Sequence, residues 1–367
     1  MQKQISILII NPFGVGDVLF STVLVSVIKK NFPRSNIAYI CNIRTWNILE
    51  TNPEVNEIFV FERDEYRKLW RKSKIECVRK LYRFWKEIKR RGFDMTFDLS
   101  LGKEYAFLCW LIGIRQRRGF DYKGRGRFLT HKIPFDGFND KPVAEYYLDL
   151  INEVGVREQR KYSTLLVTTA EDDKYIDTFL KNSGITSQDL LVGIAPGGGI
   201  SFGKKDQEKR RWDADRFAEL ADRIIKRFNA KIIFIWGPDE LAFIEKISLR
   251  MKEKALVAPQ TSIREMAALC KICSVVICSE GGPLHIASSQ GIKTVSIFGP
   301  VDEKVYGPYP PGENNVVITS DVGCRPCYKR FKLPKCSSRK CLEDISVDTV
   351  FNTFSNLKHT RASLHEL

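Results

Sequence analysis

Two glycine-rich segments, one near each end of the chain, constrain its fold more than any other feature. The first is Asn-Pro-Phe-Gly-Val-Gly-Asp at 11–17, and the second is Ser-Glu-Gly-Gly-Pro-Leu-His at 279–285. Each follows a short run of β-forming residues, at 5–10 and 274–278, and each opens an apolar stretch of helical character. Glycines in such a strand–loop–helix unit let a ligand approach the backbone, and the free N–H groups of the helix start favour anions. The two loops therefore predict a phosphate-bearing ligand in a cleft between two α/β domains.

Strand-like and helical runs alternate in both halves, which predicts parallel sheets with helices on both faces. We expect a glycine-, arginine- and proline-rich loop at 119–140 and an irregular tail at 301–345. The predicted domains are residues 1–165 and 166–345, each Rossmann-like, followed by a helix and tail at 346–367 that pack back on the N-terminal domain. The strand-like runs lie at 5–10, 37–41, 57–61, 95–99, 115–120, 190–195, 230–236, 255–258, 274–278 and 294–298.

Positive charge is concentrated in the first half of the chain. The 367 residues include 59 Lys/Arg and 44 Asp/Glu, and 63–91 alone holds thirteen Lys/Arg against four Asp/Glu. Apolar residues recur there at helical spacing, so we expect one basic amphipathic helix. A second basic stretch runs over 115–132. A solvated surface, an anionic membrane and an anionic acceptor each fit this charge. We expect no nucleic-acid partner, because the sequence has no helix-turn-helix, RNA-recognition or zinc-finger pattern.

The start of the chain and its apolar runs bear on location. The chain begins with a strand-like segment in place of a signal peptide. No apolar run approaches the ~20 residues of a membrane-spanning helix. We therefore expect a cytoplasmic protein whose ten cysteines are reduced thiols or ligands.

Asp17 is the candidate catalytic residue of the first half. It follows Gly16 at the start of a predicted helix over 18–31. The helix dipole keeps a carboxylate there ionised, which suits a general base. A plain helix cap is an equally ordinary role for Asp at this place. The residues alone leave both roles open.

The second half supplies candidate donor-binding residues after its strands. Gly197 and Gly198 follow one strand and precede a cluster of cations that includes Arg210. Arginine offers bidentate contacts to phosphate. Asp239 and Glu240 follow another strand, where carboxylates bind ribose hydroxyls or cap a helix. We expect these groups, together with residues 280–285, to face one crevice, since parallel sheets bind ligands at the carboxyl ends of their strands.

Taken together, five segments resemble glycosyltransferase family 9, the heptosyltransferases of lipopolysaccharide core assembly. The resemblance extends over residues 5–350, and a Cys-x-x-Cys tail like the one at 324–341 is found in many members. The five segments are 11–17, Pro196-Gly197 with Lys209-Arg210-Arg211-Trp212, Trp236-Gly237, 280–285, and Phe298-Gly299-Pro300.

The resemblance implies the GT-B fold, with two Rossmann-like domains whose parallel sheets face a central cleft. It implies an inverting, metal-independent transfer of a heptose from ADP-heptose to a lipopolysaccharide core acceptor, with no cofactor besides the ADP-sugar donor. By position, Asp17 matches the base, and Arg210 replaces a Lys that contacts the donor phosphates. The other matched positions are Gly197, Gly198, Asp239, Glu240, Glu280, Gly281, Gly282 and His285 on the donor side, and Gly14, Gly16, Arg117 and Arg118 on the acceptor side.

One departure concerns donor specificity. The family usually has Asp followed by Ser or Thr where this chain has Glu280 and Gly281. The change removes a hydroxyl donor and lengthens the carboxylate. It bears on which sugar or nucleotide is bound more than on fold or reaction class.

The implied partners are a nucleotide sugar and an anionic glycolipid. The basic first half then has a natural counterpart in a glycolipid that lies in an anionic membrane. The expected location is the cytoplasmic face of the inner membrane, as a peripheral protein.

Four cysteines near the end of the chain form a candidate structural metal site. Four thiolates suffice to bind zinc, but reduced thiols are the default expectation for this uneven spacing. The four are Cys324, Cys327, Cys336 and Cys341.

Two other functions compete with glycosyl transfer. A Rossmann-type nucleotide-sugar epimerase or oxidoreductase would show a full Gly-x-Gly-x-x-Gly, whereas Gly14 and Gly16 are followed by Leu19. A non-catalytic relative that binds anionic glycolipids would not need Asp17.

Overall fold

The computed structural model describes residues 4–152, 154–156, 162–199 and 207–359. The chain divides into two compact units. Unit 1 comprises the residues up to Phe138 and Val143–Tyr162, and unit 2 comprises Asn139–Pro142 and the residues from Ser163 onward. The domain boundary predicted from the sequence lies after residue 165.

Unit 1 is built on a six-stranded parallel sheet of order β3-β2-β1-β4-β5-β6. The central strand β1 is apolar on both faces, as buried parallel strands are. Its strands are β1 (Ser6–Ile10), β2 (Asn36–Cys41), β3 (Glu57–Val60), β4 (Met95–Asp98), β5 (Gln116–Tyr122) and β6 (His131–Phe135). Its helices are α1 (Val15–Asn31), α2 (Ile43–Leu49), α3 (Arg63–Lys72), α4 (Lys74–Arg91), α5 (Glu104–Leu111) and α6 (Val143–Asn152).

Unit 2 repeats the plan with a second six-stranded parallel sheet, of order β12-β11-β10-β7-β8-β9. Its strands are β7 (Leu191–Ala195), β8 (Lys231–Phe234), β9 (Leu256–Val257), β10 (Val275–Ser279), β11 (Thr294–Ile297) and β12 (Asn315–Ile318). Its helices are α7 (Ala170–Asn182), α8 (Ala214–Phe228), α9 (Leu241–Ser248), α10 (Ile263–Ile272), α11 (Gly282–Ser289), α12 (Glu303–Tyr306), α13 (Lys340–Glu343) and α14 (Val347–His359).

Each sheet reverses its strand order at one place. In unit 1 this switch lies between β1 and β4, and in unit 2 it lies between β7 and β10. Crevices at the carboxyl ends of strands beside such a switch are the usual ligand sites of open α/β sheets. The glycine-rich loops follow β1 and β10, so both loops lie at switch points.

The structure confirms the α/β prediction but corrects three local expectations. The basic segment 63–91 is two helices, because Ser73 is extended (φ −154°) and its Oγ accepts a hydrogen bond from Glu76 N at 3.3 Å, which begins α4. The predicted loop at 119–140 contains edge strand β6, and the predicted irregular tail contains edge strand β12.

The last helix joins the core of unit 2. Val350, Phe354 and Leu357 are buried there, and the rings of Phe228 and Phe354 lie 5.6 Å apart. The sequence had suggested packing on the N-terminal domain; the buried face of α14 instead lies against α8 of its own unit. Among the described residues, no helix combines the length and apolarity needed to cross a bilayer.

Candidate active site

The loop after β1 is held in place by two asparagines. Asn11 accepts a hydrogen bond from Phe13 N at 3.2 Å and donates to Asp17 O at 3.0 Å. Asn42, which begins α2, donates to Pro12 O and Phe13 O. The loop is therefore fixed at the carboxyl end of β1 by side chains from two elements.

Asp17 lies in the first turn of α1, because the helix begins at Val15 and not at the predicted residue 18. Its carboxylate accepts a hydrogen bond from Gly14 N at 3.3 Å, so it caps the helix. The side chain is half-buried. Gly14 and Gly16 thus lie directly beside the predicted base, with Gly14 as the extended residue before the helix. This hydrogen bond gives Asp17 a capping role and does not test its catalytic role.

Arg117 and Arg118, the predicted acceptor-binding cations, lie on β5. Arg117 Nε donates to Phe128 O at 2.6 Å, and its Nη1 donates to Ile114 O and to Arg115 O. Arg118 is buried in the sheet. These contacts give Arg117 a structural role in joining β5 to the turn after it, and its role toward an acceptor stays a prediction.

A second carboxyl group lies at the unit 1 switch point and was missed by sequence reasoning. Asp98 ends β4 beside Ile10 of β1, and its Oδ1 accepts a hydrogen bond from Ser100 N at 3.0 Å. Burial raises the pKa of Asp98 to about 6, against the lowering effect of the Ser100 hydrogen bonds. The only signal in the sequence is an acid that ends an apolar strand.

In unit 2, the loops after β7 and β10 meet at the switch point. Ser279 Oγ donates to Pro196 O at 3.0 Å. Gly281 has φ 152°, and a Cβ there would lie 3.4 Å from the Gly198 carbonyl. The glycines predicted to form the phosphate loop and the diphosphate turn are therefore packed against each other. Gly282 opens α11, the eight-residue helix whose start follows this turn.

Arg210 and Glu280 form a buried ion pair across these loops. Arg210 Nε donates to Glu280 Oε2 at 2.6 Å, and Nη2 donates to the same oxygen and to Glu280 O. The two residues are 2% and 6% exposed. The cation predicted to contact the donor phosphates is thus held by Glu280, another of the predicted donor-binding residues.

His285 is buried next to this pair. Burial, together with the positive charge of Arg210, lowers the pKa of His285 to about 4. The imidazole is therefore neutral near pH 7. It adds no positive charge for a diphosphate to meet.

Glu240 joins the loop after β8 to the loop after β7. Its carboxylate accepts hydrogen bonds from Gly237 N at 2.8 Å and Gly199 N at 3.0 Å. A Cβ on Gly197 would fall 2.0 Å from Glu240 Oε1, so only glycine fits there beside the acid. Asp239, the other predicted nucleoside-binding acid, is exposed in the same turn.

Arg211 is a cation of this site whose position only the structure reveals. Its Nη2 lies 3.6 Å from Glu240 Oε1, and its guanidinium carbon lies 4.9 Å from the centre of the Phe243 ring. Within the described part of the chain, Nε and Nη2 of Arg211 make no hydrogen bond. In the sequence, Arg211 belongs to a cluster of basic residues, and nothing in that cluster distinguishes its role from that of Arg210.

The family model of glycosyltransferase family 9 (heptosyltransferase) matches residues 81–337. The chain belongs to this family. It is therefore a glycosyltransferase, as the motifs predicted.

Known members of glycosyltransferase family 9 resemble the chain over most of its length. Lipopolysaccharide heptosyltransferase 3 from Escherichia coli is 25% identical over 312 residues, which cover 82% of this chain and 85% of that protein. The structure of a family 9 glycosyl transferase from Veillonella parvula matches with a TM-score of 0.82 at 24% identity and covers 98% of both chains. The structure of Escherichia coli ADP-heptose lipopolysaccharide heptosyltransferase II matches with a TM-score of 0.76 at 19% identity, over 96% of this chain and 98% of that one. These matches confirm the GT-B fold class.

The departure of this family 9 member at 280–281 has a geometric basis. The glutamate side chain reaches Arg210, and the backbone of Gly281 adopts a φ that favours glycine. A Ser or Thr at 281 would be strained in this backbone.

The four cysteines of the predicted metal site line one cavity of about 400 Å³ in unit 2. Burial, together with the nearby thiols of the other three, raises the pKa of the Cys341 thiol to about 11. Among the described residues, no three His, Cys, Asp or Glu side chains are arranged to hold a metal ion. The zinc site stays a prediction. The cysteines that line this cavity with Cys341 are Cys324, Cys327 and Cys336.

Proposed function

We propose that this chain transfers a heptose from ADP-heptose to a lipopolysaccharide core acceptor, with inversion and without a metal ion. The observation that carries the proposal is the meeting of the glycine loops after β7 and β10 at the unit 2 switch point. Gly197, Gly198 and Gly281 are buried where the two loops pack together, and glycine loops at the carboxyl ends of parallel strands are the usual place for a diphosphate.

ADP-heptose is proposed as donor because one similar structure is that of an Escherichia coli ADP-heptose lipopolysaccharide heptosyltransferase. In this chain, the start of α11 would meet the diphosphate. Gly282 and Leu284 carry N–H groups in its first turn, whereas Pro283 between them has none. The dipole of α11 adds partial positive charge at the same place.

Two arginines would offset the charge that develops on the leaving ADP. Arg210 and Arg211 flank Gly198, where a Cβ would lie 3.4 Å from Arg210 Cβ and 3.8 Å from Arg211 Cγ. Arg210 already donates to Glu280, so its main effect is to hold the loop after β10. Arg211, with two N–H sites unused in the described contacts, is the stronger candidate for a bidentate phosphate contact.

The reaction is a single displacement at the anomeric carbon. An acceptor hydroxyl attacks that carbon, its proton passes to the Asp17 carboxylate, and the bond from the anomeric carbon to the diphosphate oxygen breaks. The electron pair of that bond leaves with ADP. Asp17 acts as general base, and the donor loops stabilise the departing negative charge.

The acceptor is proposed to be an anionic glycolipid at the cytoplasmic face of the inner membrane. The net charge of +15 and the lipopolysaccharide heptosyltransferase among the matching proteins support this partner. Gly14, Gly16, Arg117 and Arg118 remain the proposed acceptor side. No cofactor beyond the ADP-sugar enters the proposal.

Calorimetric titration with ADP, UDP, GDP and NAD, in the presence of a chelator, tests the donor. We expect ADP to bind most tightly and Arg211→Ala to weaken it about 10- to 100-fold, the value of a charge-assisted hydrogen bond. Arg227→Ala, which removes an exposed arginine on α8, is the matched control and should bind ADP as the wild type does. Preference for UDP or GDP would contradict the proposal that ADP-heptose is the donor. Binding of NAD alone would favour the oxidoreductase alternative.

Asp17→Asn tests the base. Transfer from ADP-heptose to a lipopolysaccharide core acceptor should be lost while ADP affinity is unchanged. Glu265→Gln is a matched control, because Glu265 is also a half-buried acid at the third position of a helix and accepts a hydrogen bond from Ser262 N at 2.6 Å. If both variants keep full activity, Asp17 is only a helix cap.

A further inference from the structure

One side of unit 1 exposes several large apolar side chains. Trp70 on α3 and Ile75, Val78 and Tyr82 on α4 are 50–68% exposed. The spacing 75, 78, 82 places the three α4 residues on one side of the helix. The same helix buries Cys77, Trp85 and Ile88. The apolar side of helix α4 thus extends beyond the residues that it buries, whereas a surface helix of a globular protein usually packs its apolar side against the core.

Helix α5 repeats this arrangement. It buries Ala106 and Cys109, while Trp110 and Leu111 are 51% and 60% exposed and Phe107 is also exposed.

Helices α4 and α5 lie side by side on the same sheet. Trp85 of α4 and Cys109 of α5 belong to one core cluster with Leu8 and Ile10 of β1. The rings of Trp85 and Tyr105 lie 6.3 Å apart. Since both helices cover the same face of the sheet, their exposed residues point out from the same side of unit 1. Trp70 of α3 adjoins the start of α4, where Lys74 Nζ lies 5.8 Å from the centre of the Trp70 ring. We call this side the outer face, defined by Trp70, Ile75, Val78, Tyr82, Trp110 and Leu111.

Cations are interleaved with the apolar residues of the outer face. Arg79, Arg83 and Lys86 are exposed on the same helix as Tyr82. Lys86 Nζ lies 5.5 Å from the centre of the Tyr82 ring, and the segment 63–91 carries a net charge of +9. Long cationic side chains keep their charge in water while their stems cover apolar surface. The combination of Trp, Tyr and aliphatic residues with Lys and Arg is typical of helices that lie in the headgroup region of a bilayer.

We propose that the outer face docks on an anionic lipid bilayer, with Trp70, Ile75, Val78, Tyr82, Trp110 and Leu111 inserted at the level of the headgroups. The proposal rests on the proposed function only in that the acceptor there is a membrane glycolipid. Charge complementarity selects the bilayer: the cations meet anionic headgroups, and the aliphatic side chains enter the acyl boundary. A nucleic acid would satisfy the cations but leave Ile75 and Leu111 in water.

Co-sedimentation with vesicles tests the docking without any substrate. The wild-type chain should bind vesicles of phosphatidylcholine with about one third phosphatidylglycerol, and binding should weaken with salt and on phosphatidylcholine alone. The double variant Trp110→Ser, Leu111→Ser should partition about tenfold or more less well, because it removes two inserted side chains. Val78→Ser with Tyr82→Ser should act similarly.

Leu249→Ser is the control, since Leu249 is an exposed leucine of unit 2 (86% exposed) outside the outer face. It should bind vesicles as the wild type does. Transfer to a water-soluble core oligosaccharide should be equal in all variants, so loss of docking and failure of the proposed function remain distinguishable.

Three results would overturn the proposal. The first is absence of wild-type binding to the anionic vesicles. The second is unchanged binding of both double variants, which would mean that charge alone acts; binding of heparin with equal salt dependence would then point to a polyanion. The third is a dimer in sedimentation velocity that both double variants abolish while vesicles are not bound, which would assign the outer face to a second copy of the chain.

Discussion

Removing either member of the Arg210–Glu280 pair should destabilise unit 2 far more than removing both. Arg210→Met leaves the Glu280 carboxylate buried without its cation, and Glu280→Gln leaves the guanidinium without its anion. Both residues are almost fully buried. An uncompensated buried charge is costly, whereas a buried neutral pair is not.

The magnitude follows from the geometry. With Nε and Oε2 2.6 Å apart, the charge centres are separated by about 4 Å, and an effective dielectric constant of about 20 gives about 4 kcal/mol. Measured losses for one member of a buried pair are about 3–5 kcal/mol. We therefore expect each single variant to lose about 3 kcal/mol and the double variant to lose about 1 kcal/mol, which gives a coupling energy of about 5 kcal/mol.

Native-state hydrogen exchange of peptides from β7 and β10 measures this cycle in unit 2 itself. The exposed pair Arg223–Asp348, 2.7 Å apart, is the matched control and should show a coupling of at most about 1 kcal/mol. Additive losses at 210 and 280, within about 0.5 kcal/mol, would refute the reasoning.

An independent readout is the titration of His285. The charge of Arg210 helps to lower the pKa of His285, so Arg210→Met should raise that pKa. The chain has four histidines, few enough to follow by NMR. An unchanged pKa of His285 would contradict the proximity of the two charges.

Three further predictions concern the two units separately. Gly197→Ala should weaken ADP binding in calorimetry, because its Cβ would collide with Glu240; Gly312→Ala, where a Cβ meets open space, should not. The free energy of unfolding of unit 1 should rise by about 2 kcal/mol between pH 7 and pH 4. Asp98 has a pKa of about 6 in the folded state and about 4 in the unfolded state, so it takes up its proton first in the folded state. In Asp98→Asn, hydrogen exchange should show no such rise. The free energy of unfolding of unit 2 should fall by about 2 kcal/mol between pH 7 and pH 4.5. His285 is protonated near pH 6.5 in the unfolded chain and only near pH 4 in the folded chain. His285→Gln should abolish most of this fall.

The central strands were predictable and the edge strands were not, for a physical reason. Strands such as β1 and β10 are buried on both faces and are continuous apolar runs, which sequence patterns detect. Strand β6 is His-Lys-Ile-Pro-Phe at the edge of its sheet, where one side is open and a proline is tolerated. Strand β12 is an edge strand too, and is held by its pairing with β11. Neither pattern separates an edge strand from a loop.

In the candidate site, the elements were predictable and the side-chain partners were not. The loops at 197–198 and 280–282 could be predicted because glycines come directly after strand-like runs there. The partner of Arg210, however, lies 70 residues further along the chain, and nothing local indicates that pairing. The same holds for Glu240, which reaches back to Gly199. Such contacts depend on parallel strands that bring distant loops to one edge of a sheet.

The two arginine–glutamate pairs explain how this edge can be charged and still fold without a ligand. Arg210 is paired with Glu280 after β10, and Arg211 lies beside Glu240 after β8. The two adjacent cations are therefore each balanced by an acid from a different loop, and the described cluster of four side chains carries no net charge. A diphosphate bound there would gain little from net charge. Its affinity would depend on backbone N–H groups and the α11 dipole, and on how readily Arg211, which lies 3.6 Å from Glu240 without a hydrogen bond to it, turns toward the ligand.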